Sequence, residues 1–509
     1  MRSLFKSFCG LLAVFAALLL LHLPLLRLPY FWDEAGYYIP AALDFYHSGL
    51  LIPISTLHTG HTPLMMIYLG VVWRLFGCSV WAARAAMTLA AAGTVAALYV
   101  LSRRVASREI AAWSVLLLAL SPLFFAQSTL IALDLPAALF TTLATLSVLR
   151  NRYWLFALAA SLAVLTKETA VILLPVVWVY EWKKRRAPAA APRARFTTWL
   201  ALCLPLVPLA AWAIYYHHAT GFWTGNREYL TYNVYSTLSP ARIFWSLLRR
   251  GYELFFSGFN WLLTGGAVVG IWRGRKHGKR DTGVGTRDAN PWRQFLFLAA
   301  GLIAVYLVLL SVVGGAVLPR YLLPVLPVFY LATAGIITTL PPLPSRALLA
   351  GAALCFVAAW FINPPYPFPF EDNLSYADFI RLHQQAASYL QTQPGQPRIL
   401  TAWPATDELT KPALGYVAAP LRVVPVQGFA SQDFGGVAPG SFDLVYFYSR
   451  RWEPPGNWVQ RFPFWLDVQG RYFDYQPQTA AGALATRYHL SLLAEMRRRG
   501  QWVRIYRAR

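Results

Sequence analysis

The chain has 509 residues, of which 57% are hydrophobic and 13% charged, with a formal net charge of +23. That apolar excess excludes an ordinary soluble domain and marks a polytopic membrane protein. The basic residues fall between apolar stretches, as in cytoplasmic loops facing anionic lipid, so the charge does not point to nucleic acid.

The first apolar stretch, residues 8–26, is long enough to cross a bilayer, and Arg2 and Lys6 hold its start on the cytoplasmic side. No small-residue cleavage site follows Leu25-Leu26-Arg27, so an uncleaved first span is expected. An acid pair, Asp33-Glu34, stands just beyond it among aromatics, and therefore emerges at the opposite membrane surface. Residues 29–80 form the first outer loop. Within it lie His58 and His61, and the short apolar segment 62–77 reads as a juxtamembrane helix. If that segment crossed, every strong basic cluster would move outside, against the positive-inside rule.

Further apolar stretches run roughly 81–101, 110–131, 134–149, 153–166, 169–182, 196–216, 254–272, 294–312, 321–340 and 346–362. With the first, they predict about eleven transmembrane helices. Residues 153–182 read as two short spans, because one long helix would leave either Arg150 and Arg152 or the run Lys183 to Arg186 on the outside. The turn between them carries Lys167-Glu168, sunken below the outer surface, where ionisable groups line wet cavities. The basic run Arg273 to Arg280 falls on the cytoplasmic side. Asp134, at the start of one span, and Arg320-Tyr321, at the start of another, join the same outer leaflet, as does the loop 217–253. After residue 363 the composition turns soluble. Residues 364–369 read as a stiff proline-rich linker, 376–391 as a helix, and 398–402, 421–426, 442–448 and 502–506 as strands of a small α/β domain on the outer side. Cys9, Cys78, Cys203 and Cys355 lie in or beside apolar stretches without metal-ligand spacing and imply no disulfide framework.

Five segments far apart in sequence thus bring charges to one leaflet. An enzyme that moves a sugar from a lipid phosphate to a hydroxyl needs a carboxylate to deprotonate the acceptor and cations to hold the phosphate. It also needs a site within reach of the bilayer, where the donor's tail lies. Asp33 supplies the base, and Lys167 and Arg320 the clamp. The bland readings differ from residue to residue: a solvated loop for Asp33-Glu34, a structural pair for Lys167-Glu168, a snorkelling anchor for Arg320, a helix N-cap for Asp134, and local loop contacts for His58 and His61. A transporter or flippase of a lipid-linked sugar is the alternative, although the paired interrupted helices of many transporters are not seen.

The Asp-Glu of the first outer loop, His61-Thr-Pro-Leu64, the Leu-Asp-Leu-Pro around Asp134, Thr166-Lys-Glu168 and the Pro-Arg-Tyr-Leu-Leu-Pro around Arg320 together resemble the polyprenyl-phosphate-dependent glycosyltransferases of the C-type (GT-C) membrane fold. These include protein O-mannosyltransferases, aminoarabinose transferases and rhizobial lipopolysaccharide galacturonosyltransferases. The match covers roughly residues 8–340. The resemblance implies Asp33 as catalytic base with Glu34 as companion, Lys167, Arg320 and His61 at the donor phosphate, and Asp134, Glu168, His58 and Tyr321 lining the cavity. His61 stands where the aminoarabinose transferases carry a lysine, so a phosphate contact there requires protonated imidazole. No metal or other cofactor is expected to be required. The expected partners are a polyprenyl-phosphate sugar, a lipid, glycan or protein acceptor and membrane lipids, with inversion at the sugar. The expected layout is a transmembrane domain, 1–363, with cytoplasmic N-terminus in a bacterial inner membrane, and a periplasmic α/β domain, 364–509.

Overall fold

The computed structural model describes residues 2–184, 192–276, 290–453, 461–473 and 475–508, with the side chains of 2–8 and 192–195 set aside. Arg2, Lys6, Arg185, Arg186, Lys279 and Arg280, all counted in the basic clusters, thus lie outside what is described. Each stretch expected to cross carries helix. Five helices are long and apolar enough to cross alone: Val80–Val105, Phe196–Thr220, Pro291–Val312, Pro319–Ile337 and Pro342–Ala359. The bent pair Pro240–Phe255 and Ser257–Lys276 would make a sixth, and Cys9–Leu21, Asp134–Leu149 and Tyr153–Thr166 are shorter apolar helices. The chain is a multi-pass membrane protein.

Local chemistry sets several boundaries. Ser79 and Ser107 accept hydrogen bonds from the N–H groups of Ala82 and Ile110, capping the helices that follow. Segment 62–77 forms a helix, Leu64–Phe76, that packs on Ile39–Ser48. The helical pair expected over 153–182 breaks at Lys167, which is extended (φ −151°, ψ 122°), and restarts through a tight turn, Glu168–Ile172. Pro319 and Pro324 hold the first turns after Leu318 in a 3₁₀ helix, Pro319–Val325, before the regular helix Leu326–Ile337 begins.

Helix ends sort by chemistry. Asp134, Lys167-Glu168 and Arg320 sit at one set of ends; Arg103-Arg104, Lys183-Lys184 and Arg273 through Lys276 sit in the last turns at the other set. Beyond the last apolar helix, five strands form one sheet: β1 (Ile399–Ala402), β2 (Val423–Val426), β3 (Leu444–Tyr448), β4 (Leu490–Arg498) and β5 (Gln501–Ala508). The order is β2-β1-β3-β5-β4. The first three strands are parallel, with Ile399 opposite Val423 and Leu444. β5 runs antiparallel to β3 with Ile505 opposite Tyr446. β3 is buried at every position, which explains its unbroken apolar run, and helix Ser375–Gln391 packs on β4 and β5. β4 is the strand the sequence pattern misses, because its edge position and polar residues hide the period. Residues 364–369 are not a free linker: Phe368 bridges to Trp452, whose indole N–H donates to the Pro364 carbonyl at 2.9 Å.

Candidate active site

A cavity of about 1400 Å³ opens between the membrane helices and the sheet domain. Asp33, His61, Lys167, Glu168, Arg320 and Tyr321 all line it. Asp33 stands at the start of a single π-turn, Glu34–Tyr38, and its carboxylate pairs with Arg320 Nη2. The other Arg320 arm donates to Glu371 Oε2 at 2.6 Å, and Arg320 Nε lies 3.5 Å from Asp134 Oδ2. Lys167 Nζ donates to Asp134 Oδ1 at 2.6 Å and sits 4.0 Å from the centre of the Tyr321 ring. Asp134 thereby bridges Lys167 and Arg320 from behind, buried and outside the cavity lining. His61 Nδ1 is 3.1 Å from both oxygens of Glu168. The cluster therefore sets four carboxylates (Asp33, Asp134, Glu168 and Glu371) against two permanent cations, Lys167 and Arg320.

Glu371 is the group that titrates in the useful range. Burial, reinforced by Asp33 and Asp134, pushes its carboxyl up to about 7 in spite of the opposing pull of Arg320. The neighbouring Asp372 is also pushed well up, by burial first and then by Glu371.

Two expected site residues lie elsewhere. Glu34 points away from the cavity into a buried pair with Arg84, whose Nη1 and Nη2 lie 3.2 and 3.1 Å from its two oxygens. The same carboxylate accepts the N–H groups of Phe31 and Ile131, both at 2.5 Å, so every oxygen is engaged and no lone pair faces substrate. Arg84 also donates to the carbonyls of Leu28 (2.8 Å), Pro29 (2.5 Å) and Thr129 (2.9 Å). Glu34 is thus a fastener that fixes the loop bearing Asp33, not a reacting group. His58 is likewise diverted: its Nδ1 meets the Tyr216 hydroxyl at 2.6 Å, in a smaller side pocket. The first loop is further pinned where Gly60 (φ +76°) crosses Gly225 (φ +55°). A Cβ on Gly60 would stand 2.0 Å from the Gly225 nitrogen. Glycine alone fits that crossing.

The sequence reading overlooks five further residues. Arg84 interrupts an apolar helix, and an intramembrane charge is itself a signal. Glu371-Asp372 repeats the acid-pair pattern of the first loop, directly after the prolines read as linker. Arg250, on the amphipathic helix Pro240–Phe255, is fully buried with Nη1 and Nη2 lacking any acceptor among the described residues, 5.7 Å from the Tyr321 ring centre. Arg450, after β3, faces the cavity from the sheet domain. Nothing in the sequence distinguishes these last two from ordinary surface arginines. Tyr321 therefore carries three cations around one ring, since Arg320 lies 5.6 Å from its centre.

Residues 60–215 match the family model described as dolichyl-phosphate-mannose-protein mannosyltransferase. No curated protein matches the sequence. The structure is similar to that of ArnT from Cupriavidus metallidurans bound to undecaprenyl phosphate. The TM-score is 0.57 and the identity 15%, over 99% of this chain and 98% of that one. Against the apo state of the same protein the values are 0.55 and 16%, over 98% of both chains. The oligosaccharyltransferase AglB from Archaeoglobus fulgidus, in complex with an inhibitory peptide and a dolichol-phosphate, gives 0.45 and 12%, over 82% of this chain and 65% of that one. The expected architecture, an α-helical membrane protein of the GT-C fold with a small α/β domain after it, is the one found. The family match is confined to residues 60–215, and the end-to-end likeness to the ArnT structure shows that the chain has the GT-C fold.

Proposed function

We propose that the chain moves one sugar from a polyprenyl-phosphate donor to a hydroxyl of a lipid, glycan or protein, at the periplasmic face of a bacterial inner membrane. The observation that carries this reading is the pairing of Asp33 with Arg320 in the same cavity as Lys167. Asp33 takes the proton of the acceptor hydroxyl. The acceptor oxygen then forms a bond to the anomeric carbon from the face opposite the phosphate, and the carbon–oxygen bond to the polyprenyl phosphate breaks, with inversion. The leaving phosphate departs as an anion and needs no proton from the enzyme, only cations to receive it. Lys167 and Arg320 meet it, and Arg250 behind Tyr321, whose Nη1 and Nη2 have no acceptor among the described residues, adds positive potential.

The resting ion pair suits this sequence of events. While Arg320 holds Asp33, the paired carboxylate oxygen is occupied. A donor phosphate that draws Arg320 toward itself frees the carboxylate as the acceptor arrives. Local cations fill the part a metal plays elsewhere, so the reaction proceeds without a required metal. Fold likeness to the ArnT structure bound to undecaprenyl phosphate supports a lipid-phosphate donor. The basic last turns at the helix ends remote from the cavity support a cytoplasmic placement of those ends and a cytoplasmic N-terminus. A division into a transmembrane part, 1–363, and a periplasmic part, 364–509, is part of the same proposal, with Glu371 reaching back across the boundary to Arg320.

The test uses the purified full chain in detergent, with undecaprenyl-phosphate sugars as donors and envelope extract as acceptor. Release of undecaprenyl phosphate coupled to a labelled product is the expected result. It also separates an enzyme from a flippase, which does no chemistry without compartments. Donors that are bound but never consumed, with every sugar tried and extract present, would overturn the reading.

A further inference from the structure

Around Asp33 the cations Lys167 and Arg320 are already engaged by carboxylates, Lys167 by Asp134 and Arg320 by Asp33, Asp134 and Glu371. Against that background Arg450 stands out. It lines the same cavity from the sheet domain, on the segment that leaves β3. Among the described residues it has no ion pair and no hydrogen bond, and its Nε is buried without an acceptor. The neighbouring Arg451, by contrast, is spent on Glu453 at 2.6 Å and on the Gln476 carbonyl at 3.0 Å.

Arg450 is nevertheless held in place. Its guanidinium carbon lies 5.7 Å from the ring centre of Trp32, the residue immediately before Asp33. Trp32 is itself packed edge-on against Trp403 and Phe379 of the sheet domain. On the other side, Gly428 leaves the space the guanidinium needs: a Cβ there would come within 2.9 Å of Nη1. The nearby Asp433 accepts the Ala430 N–H at 2.8 Å and makes no ion pair with Arg450. A guanidinium held at the cavity wall without an ion pair among the described residues is a recognition element for planar or tetrahedral anionic oxygens.

We propose that Arg450 is a specificity-determining residue that binds an anionic group, phosphate or carboxylate, carried by the acceptor close to the hydroxyl that receives the sugar. This rests on the proposed function for the identity of the cavity. The donor phosphate has its own cations on the membrane helices, Lys167 and Arg320, whereas Arg450 reaches the cavity from the sheet domain.

Binding, not turnover, provides the test. The full chain in detergent is saturated with undecaprenyl phosphate to fill the donor clamp, then titrated with glucose 6-phosphate, glucuronate and glucose by ligand-observed NMR. Wild type is expected to bind at least one of the two anionic sugars at least tenfold more tightly than glucose. Which of the two is preferred distinguishes phosphate from carboxylate. Arg450→Gln should lose that tenfold preference, Arg450→Lys should keep part of it, and both should retain wild-type affinity for undecaprenyl phosphate and wild-type thermal unfolding. The proposal fails if Arg450→Gln binds the anionic sugars as wild type does, or if wild type binds glucose equally well. It also fails if the substitution weakens undecaprenyl phosphate instead, which would assign Arg450 to the donor. Failure of the transferase reading itself would appear separately, as absence of product with wild type.

Discussion

Asp33 and Glu34 are adjacent in the chain, and each carboxylate meets an arginine, yet the two pairs are built for different ends. Glu34 and Arg84 form a closed system. Both are buried, both oxygens accept backbone N–H groups as well as guanidinium, and the arginine spends its remaining donors on three carbonyls. Asp33 and Arg320 form an open one. Asp33 keeps 22% of its side chain exposed, and Arg320 divides itself among three carboxylates at the cavity wall. Closure gives a rigid anchor; incomplete closure leaves charge for a ligand to claim. The π-turn that begins at Glu34 aims the two neighbours in different directions.

Breaking each pair in turn sharpens the contrast. The largest effect is expected for Asp33→Asn, which removes the proposed general base and should lower turnover by roughly 10²–10⁴-fold while leaving thermal unfolding unchanged. Near-wild-type turnover would take Asp33 out of the reaction. Arg84→Ala strands the buried Glu34 charge and should cost about 3–5 kcal/mol of stability, seen as a lowered unfolding temperature or lost expression. If Arg84→Ala folds normally and loses only activity, the closed pair has been misassigned. Lys167→Ala and Arg320→Ala come next. Each should raise the donor KM by roughly 10–100-fold, on the scale of about 1.5–3 kcal/mol for a charge-assisted hydrogen bond, and affect acceptor KM less. The reverse ranking would contradict a phosphate clamp.

Glu371→Gln should give the smallest change, visible only against pH. The Glu371 carboxyl is pushed up to about 7, so it is neutral below that pH and ionised above it. Ionised Glu371 competes with the donor phosphate for Arg320. Donor affinity in wild type should therefore fall as pH rises through about 7, and Glu371→Gln should flatten the profile at its low-pH level. A sugar phosphodiester does not titrate in this range, so the inflection belongs to the protein. Identical profiles for the two proteins would detach Glu371 from the donor site.

The membrane architecture was legible because its cause is local. Apolar runs and one-sided basic clusters each write themselves into a short window, and the break at Lys167 followed from the basic residues on either side of it. The convergence of Asp33, His61, Lys167, Glu168 and Arg320 on one cavity was also readable, since alternating crossings put their loops on one face. What escaped was set by pairing across distance. Nothing near Glu34 reveals that Arg84, 50 positions on, consumes both of its oxygens. His58 reads like His61 until Tyr216 is seen to take its ring nitrogen. Glu371 and Arg450 reach the cavity through the packing of residues 364–372 and of the segment after β3 onto the membrane half, which short-range composition does not encode.

The meeting of Gly60 and Gly225 has a consequence for how such a molecule diversifies. Two strands of chain that touch main atom to main atom cannot part company one at a time, so the wall they share is inherited as a single piece. Changes of partner molecule can then be written, with that crossing left intact, on the segments after β1 and β3 that bring Trp403 and Arg450 to the cavity and on the helix Pro463–Tyr472 with its aromatic side chains.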